Sequence, residues 1–234
     1  MNIRQFEELI KDELRKVVEV IITNNLNLNI SARARAGAEI SDFLEDKFVT
    51  LTQKHNYFCD SEPSPKGATK NPWDVRTKFK YNNLDEEIWI DFKALKTSSK
   101  DSNPDIGTPN KIIKFIKSGN FYLVYIFVYY EETKTGLKFV KNNKSYTKIY
   151  FLKDIHHSFR RNPKNQLQVN MSELPEYRNR EEFIKILTIK LRESHKRQID
   201  ISSRTLKKLD DIENELLNCN KVSETKIEPV SNFV

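Results

Sequence analysis

Apolar residues recur at helical spacing over residues 3–22, where Ile3, Phe6, Ile10, Leu14, Val17, Val18 and Ile21 share one face. The pattern predicts an amphipathic helix. The Asn-rich stretch 24–29 interrupts it. Ser31 is placed to cap a second helix over 31–54, with Ile40, Phe43, Leu44, Phe48 and Leu51 on its apolar face. Residues 61–72, SEPSPKGATKNP, hold three prolines and a glycine and read as loop. The period then shortens to two. WDVRTKFKY (73–81) and EEIWIDFKAL (86–95) read as strands flanking Asn82-Asn83, residues that tolerate the positive φ of a tight hairpin turn. A polar loop over 97–110 leads to a short helix, 111–117, that stops near Gly119. FYLVYIFVYY (121–130) is apolar on both faces and predicts a central, buried strand. Strands follow at 137–140 and 146–152, then a basic loop, RRNPKNQLQVN, and helices over 181–199 and 206–217. The order predicts an α/β fold in the broad sense, an α+β mixed sheet flanked by helices. One domain covers 1–217, with a frayed tail over 218–234.

Composition narrows the classes. The 234 residues carry 40 Lys+Arg against 33 Asp+Glu, a net charge of +7 that permits a polyanionic partner. Two cysteines, Cys59 and Cys219, are too few for a disulfide framework, so a reducing, cytoplasmic setting is expected. No apolar run approaches the roughly 20 residues of a membrane span, and no membrane role is expected.

The hairpin concentrates the chemistry. With Asn82 and Asn83 as the loop, Tyr81 faces Leu84, and counting outward puts Asp74 opposite Asp91. Opposed Cβ atoms in such a pair lie roughly 4.5–5.5 Å apart. Alternation puts Asp91 and Lys93 on one face and Ile88, Ile90 and Phe92 on the other. Two carboxylates so close repel unless a cation compensates. Lys93 supplies one charge; Mg²⁺, which takes oxygen ligands, suits the remainder. Metal and lysine together fit phosphodiester hydrolysis, with Lys93 orienting the attacking water.

Pro72-Trp73-Asp74 followed by Asp91-Phe92-Lys93 resembles the signature of PD-(D/E)xK nucleases, with one residue inserted between Pro and Asp. The resemblance implies a glutamate on the preceding helix, which GAEISDFL places at Glu39, although Asp42, Glu45 and Asp46 share that helix. It also implies the Phe92 carbonyl as a further metal ligand. The blocks GAEISDFLED, KNPWDVRTKFK, EEIWIDFKALK, DSNPDIGTPNKIIKFI and GNFYLVYIFVYY resemble type II restriction endonucleases that cut an AT-rich eight-base-pair palindrome, ATTTAAAT, to blunt ends. That resemblance implies double-stranded DNA as substrate, 5′-phosphate and 3′-hydroxyl products, and a DNA methyltransferase as functional partner. A palindrome is matched by two-fold protein symmetry, so a homodimer is expected. A structure-specific repair or junction nuclease and a catalytically silent DNA-binding protein are the competing readings.

Candidate DNA contacts follow from the loops. Lys66 and Lys70 precede Asp74; Lys96, Ser98 and Lys100 follow Lys93; Arg160, Arg161, Asn162, Asn165, Gln166 and Gln168 cluster later; Arg33 and Arg35 precede Glu39. Lys and Arg hold phosphates, while Asn and Gln pair with adenine edges. Each also has a plain reading as solvated surface. Trp73 and Trp89 read as packing groups. His156-His157 read as surface histidines, because no partner lies at a ligand spacing in the sequence.

Overall fold

The computed structural model describes residues 1–30, 36–65, 73–98, 103–119 and 121–218. Helix α1, Ile3–Asn24, starts at a capping box in which Asn2 and Gln5 exchange side-chain and backbone hydrogen bonds. It buries Phe6, Ile10, Leu14, Val17, Val18 and Ile21 of the predicted face but leaves Ile3, in its first turn, exposed. Helix α2 spans Ala36–Thr52 and buries Ile40, Leu44 and Phe48. The predicted cap, Ser31, lies outside the described residues.

Strands are β1 (Asn27–Leu28), β2 (Phe58–Pro63), β3 (Val75–Tyr81), β4 (Leu84–Lys96), β5 (Tyr122–Glu132), β6 (Leu137–Phe139) and β7 (Thr147–Phe151). They form one sheet in the order β1-β6-β5-β4-β3-β2, with β7 also on β5. All pairs are antiparallel except β4–β5. Helix α3, Pro109–Lys117, lies in the crossover that joins these parallel neighbours. Thr108 caps α3 with its hydroxyl, and Pro109 occupies the first turn, where a missing N–H costs nothing. The fold is thus the mixed sheet flanked by helices that the sequence predicts. β5 is buried from Tyr122 to Tyr130, as a strand covered on both faces must be.

Three expectations change. The stretch 61–72 is not all loop, because β2 runs through Ser61 and Glu62 to Pro63. β2 ends the sheet, its pairing shifts between Cys59 and Glu62, and Asp60 takes φ 52°. A bulged edge strand with proline at its last residue violates no ladder bond. The Asn-rich break contains the short β1, which pairs with β6. The two predicted C-terminal helices are one, α4, Arg180–Asn218, of 39 residues. Between them stand Asp200, Ser202 and Ser203, which cost at most ~0.7 kcal/mol each in a helix and do not end one.

The chain divides into two units, Met1–Thr188 and Ile189–Val234. The first holds the sheet, α1, α2, α3 and the start of α4. Its core joins α1 and α2 to one sheet face through Ile88, Ile90, Phe92, Val124, Ile126 and Val128. At the border of that core, Lys153 is 2% exposed, with Nζ 2.8 Å from Glu7 Oε2 and 2.7 Å from Asp154 Oδ1. On the other sheet face the Trp89 ring packs at a tilt against Phe115 of α3, centroids 4.6 Å apart, and against Trp73 at 5.8 Å, so both tryptophans are packing groups. Within the second unit the described residues are helical, and residues 219–234 lie outside the description. No helix among the described residues is long and apolar enough to cross a membrane.

Candidate active site

The β3–β4 hairpin builds the site. Its pairing runs from Tyr81↔Leu84 to Val75↔Ile90, the register predicted from the turn. Asn82 takes φ 52°. Asp74 stands one residue beyond the last pair. Its N–H donates to the Ile90 carbonyl at 2.7 Å, and its Oδ2 accepts the Phe92 N–H at 2.7 Å. The carboxylate therefore takes the place of a backbone carbonyl in the ladder and is fixed by the sheet. Alternation along β4 buries Ile88, Ile90 and Phe92 in the core and turns Asp91 and Lys93 to the opposite face.

Asp91 is 8% exposed, and Lys93 Nζ lies 2.6 Å from its Oδ1. That enclosed oxygen has the ion pair but no hydrogen bond of regular geometry. Burial first, then the Asp91 charge, pushes the Asp74 carboxyl up to about 7. Burial also raises Asp91, against the pull of Lys93 and then of Lys111. For Lys93, burial acts downward, but Asp91 and Asp74 outweigh it and hold the ammonium above its ordinary value. One lysine does not offset two neighbouring carboxylates, Asp91 buried and Asp74 half-buried. An enclosed carboxylate oxygen beside a second oxygen donor fits a hard divalent cation.

Helix α2 reaches the same place. Ser41 Oγ donates to the Phe92 carbonyl at 3.1 Å and to Gly37 at 3.1 Å. Glu45 follows Ser41 by four residues, about 40° around the helix, whereas Glu39 precedes it by two, about 200° away. Glu39 is half-exposed on that distant side. Burial first, then Asp42 and Asp46, pushes Glu45 up to about 7, and its charge in turn acts on Asp74. Glu45, on the Ser41 side of α2, is thus the helix acid whose charge acts on Asp74, while Glu39 stands about 200° from Ser41. Ser41 and Glu45 flank the apolar stripe Ile40–Leu44–Phe48 on one side and Glu39 flanks it on the other. That phase is written in the sequence. Which flank meets the hairpin is decided by how α2 crosses the sheet.

The basic loop 160–170 folds into a small hairpin, β8 (Arg160–Arg161) and β9 (Leu167–Gln168). It is bound to the segment before α3: Ile106 N–H donates to Leu167 O and Leu167 N–H to Gly107 O, both at 2.8 Å. Asn162 Nδ2 donates to Asp105 Oδ1 at 2.9 Å, and Tyr125 Oη to the Ile106 carbonyl at 2.6 Å. Tyr125 is the β5 partner of Asp91, and the Asp105 charge acts on Lys93. The hairpin is therefore chained to the site through space, although the sequence separates them.

Side-chain duties within this hairpin differ from the expected ones. Asn162 Oδ1 accepts Gln166 N–H at 2.9 Å, and Asn165, at φ 61°, accepts from Arg161 Nε. Both amides hold the turn. Arg160 is exposed, and Gln166 and Gln168 are half-exposed. Lys96 pairs with Glu132 at 2.9 Å and lines a cleft of about 720 Å³ with Lys141 and Lys148. Ser98 is exposed after β4. Arg33, Arg35, Lys66, Lys70 and Lys100 lie outside the described residues.

A mixed sheet flanked by helices, with two close acids and a lysine at one hairpin, has the makings of a restriction-endonuclease-like enzyme. Comparison with family models bears this out and makes the protein a site-specific deoxyribonuclease. The model of the SwaI-like family, SwaI restriction endonuclease, matches residues 2–209; the chain belongs to that family and is a SwaI-like type II restriction endonuclease. No curated protein gives a significant match.

Proposed function

We propose that the enzyme hydrolyses double-stranded DNA with Mg²⁺ at a PD-(D/E)xK site made by Asp74, Asp91, Lys93 and Glu45. The observation that carries this reading is the enclosed Asp91 Oδ1, 2.6 Å from Lys93 Nζ, on a hairpin that also presents Asp74. Asp74, Asp91, Glu45 and the Phe92 carbonyl would hold the metal. When bound, Mg²⁺ neutralises phosphate charge and makes a water more acidic. Lys93 orients that water and offers a proton donor to the phosphate oxygens. Asp74 keeps its orientation through the Phe92 N–H, and Ser41 fixes the carbonyl of the same residue. Products carry 5′-phosphate and 3′-hydroxyl ends.

The target is an AT-rich eight-base-pair palindrome of the ATTTAAAT type, cut to blunt ends, with a cognate methyltransferase protecting host DNA in the cytoplasm. Gln166 and Gln168 remain for adenine edges, and Arg160 for phosphate. The palindrome calls for a homodimer. In the second unit, α4 exposes Ile201, Leu209, Ile212 and Leu216 on one stripe. Its charge turns from basic, with Arg204, Lys207 and Lys208, to acidic, with Asp210, Asp211, Glu213 and Glu215. An antiparallel pair of these helices buries the stripe and sets opposite charges face to face. Digestion of a long DNA of known sequence with Mg²⁺ or EDTA, followed by end sequencing, tests the reading. Discrete blunt fragments at one palindrome support it. A smear refutes sequence recognition, and intact DNA with Mg²⁺ refutes the nuclease site.

A further inference from the structure

A second cluster of ligand-type side chains lies away from the hairpin, where the loop after β7 meets the segment before α4. Among the described residues, His156, His157 and Glu176 place one ligand atom each within 4.8 Å of the others. Glu176 Oε1 is 2.6 Å from His157 Nδ1 and 3.3 Å from His156 Nε2. The sequence conceals this, because the carboxylate arrives from 19 residues further along the chain than His157.

The carboxylate is held before any ion arrives. Arg178 bonds the other oxygen, Oε2, and leaves Oε1 to the imidazoles. Glu176 N–H donates to the Asp154 carbonyl at 2.8 Å, and Arg178 N–H to Asp154 Oδ1 at 3.0 Å, which fixes the backbone on both sides. His156 is oriented as well. Its Nδ1 lies 2.8 Å from Ser158 Oγ, so Nε2 is the nitrogen that faces Glu176. Glu173 Oε2, 3.9 Å from the same Nε2, stands within reach as a fourth donor.

We propose that His156, His157 and Glu176 form a binding site for a borderline transition-metal ion of the zinc class, distinct from the magnesium site of the hairpin. Two imidazoles and one carboxylate match zinc, whereas Mg²⁺ prefers oxygen donors. Ligand atoms about 2.0–2.2 Å from a tetrahedral ion stand about 3.4 Å apart. The His156–Glu176 separation already fits. The His157 nitrogen needs an outward shift of under about 1 Å, open to it because its side chain is 57% exposed. Ser158 Oγ, 2.8 Å from Nδ1, is the outer partner that would accept the Nδ1 proton once Nε2 binds the ion. The ion would clip the loop that leads into β8 to the segment before α4. Its role would be structural, at the root of the hairpin carrying Arg160, Gln166 and Gln168.

Titration calorimetry of chelator-stripped protein with zinc chloride tests this. An Asp91→Asn background reduces zinc binding at the hairpin. The expected result is one zinc per chain in that background, weakened at least about tenfold by adding His157→Ala and about tenfold by adding Ser158→Ala. Zinc should raise the melting temperature of the Asp91→Asn protein and not that of its His157→Ala derivative. Magnesium should neither compete for this zinc nor reproduce the stabilisation. No zinc heat in the Asp91→Asn protein, or zinc binding unaffected by His157→Ala, overturns the proposal. The hairpin's nuclease activity stands or falls separately.

Discussion

Replacing Asp74 by asparagine should inactivate the enzyme and stabilise its metal-free form. Burial and the neighbouring Asp91 raise the Asp74 carboxyl from 3.8 to about 7. At 1.36 kcal/mol per unit, ionising it in the folded protein costs about 4 kcal/mol relative to the unfolded chain. A carboxyl raised in the fold binds its proton more tightly when folded. The penalty is therefore complete above about pH 7, shrinks as pH falls, and vanishes below about 3.8. Asparagine removes the charge and keeps an oxygen to accept the Phe92 N–H. Allowing for relaxation of the coupled Asp91, a gain of at least about 2 kcal/mol is expected at pH 8 in EDTA. For a chain of this length that is roughly 4–8 °C in melting temperature. The assay is thermal unfolding in EDTA at pH 8 and pH 5, with and without Mg²⁺. The gain should narrow toward pH 5, and Mg²⁺ should stabilise the wild type more than the variant. An Asp74→Asn protein that melts at or below the wild type at both pH values would refute the electrostatic account of the site.

Other expectations follow from the same geometry. Glu45→Gln should lower DNA cleavage by roughly 100-fold or more, whereas Glu39→Gln should leave it within a few-fold of wild type, both read by single-turnover digestion. Lys93→Ala should reduce cleavage by a similar factor, with cognate DNA binding retained in a gel-shift assay with Ca²⁺ in place of Mg²⁺. Arg160→Ala should weaken binding across sequences and flatten the salt dependence by about one unit of slope per contact on each DNA. Gly136→Ala would drive a Cβ into the Leu28 carbonyl oxygen, so denaturant unfolding should show a loss of about 1–3 kcal/mol.

The hairpin was legible because everything that defines it is local. Asn82-Asn83 fixes the register, the register sets Asp74 against Asp91, and two-residue alternation places Lys93 beside Asp91. The central strand was legible for a similar reason, since only a strand covered on both sides reads as FYLVYIFVYY. What the sequence hides depends on how elements meet. Which of Glu39 and Glu45 faces the hairpin depends on the flank that α2 turns to β4, where Ser41 meets the Phe92 carbonyl. The link of Asn162 to Asp105 crosses 57 residues, and the Glu176 approach to the histidines crosses 19. The β2 strand was hidden by composition, because prolines argue against a strand only where a ladder bond is needed. The long α4 was split by a polar stretch that weakens a helix without ending it.

Phe92 has a double life. Its ring is 1% exposed and belongs to the core, while its N–H holds Asp74 and its carbonyl receives Ser41. The groups that serve the site are main-chain atoms, present whatever the side chain. Alanine scanning would therefore register this position only as a loss of packing and would miss its hold on Asp74 and Ser41. Exchanging the backbone amide for an ester, with the ring kept, isolates that part: it deletes the N–H that steers Asp74 and leaves the core filled. For the same reason, drift at residue 92 is constrained by volume and not by reactivity, so an aliphatic replacement of similar size could preserve the nuclease while erasing the aromatic from its signature.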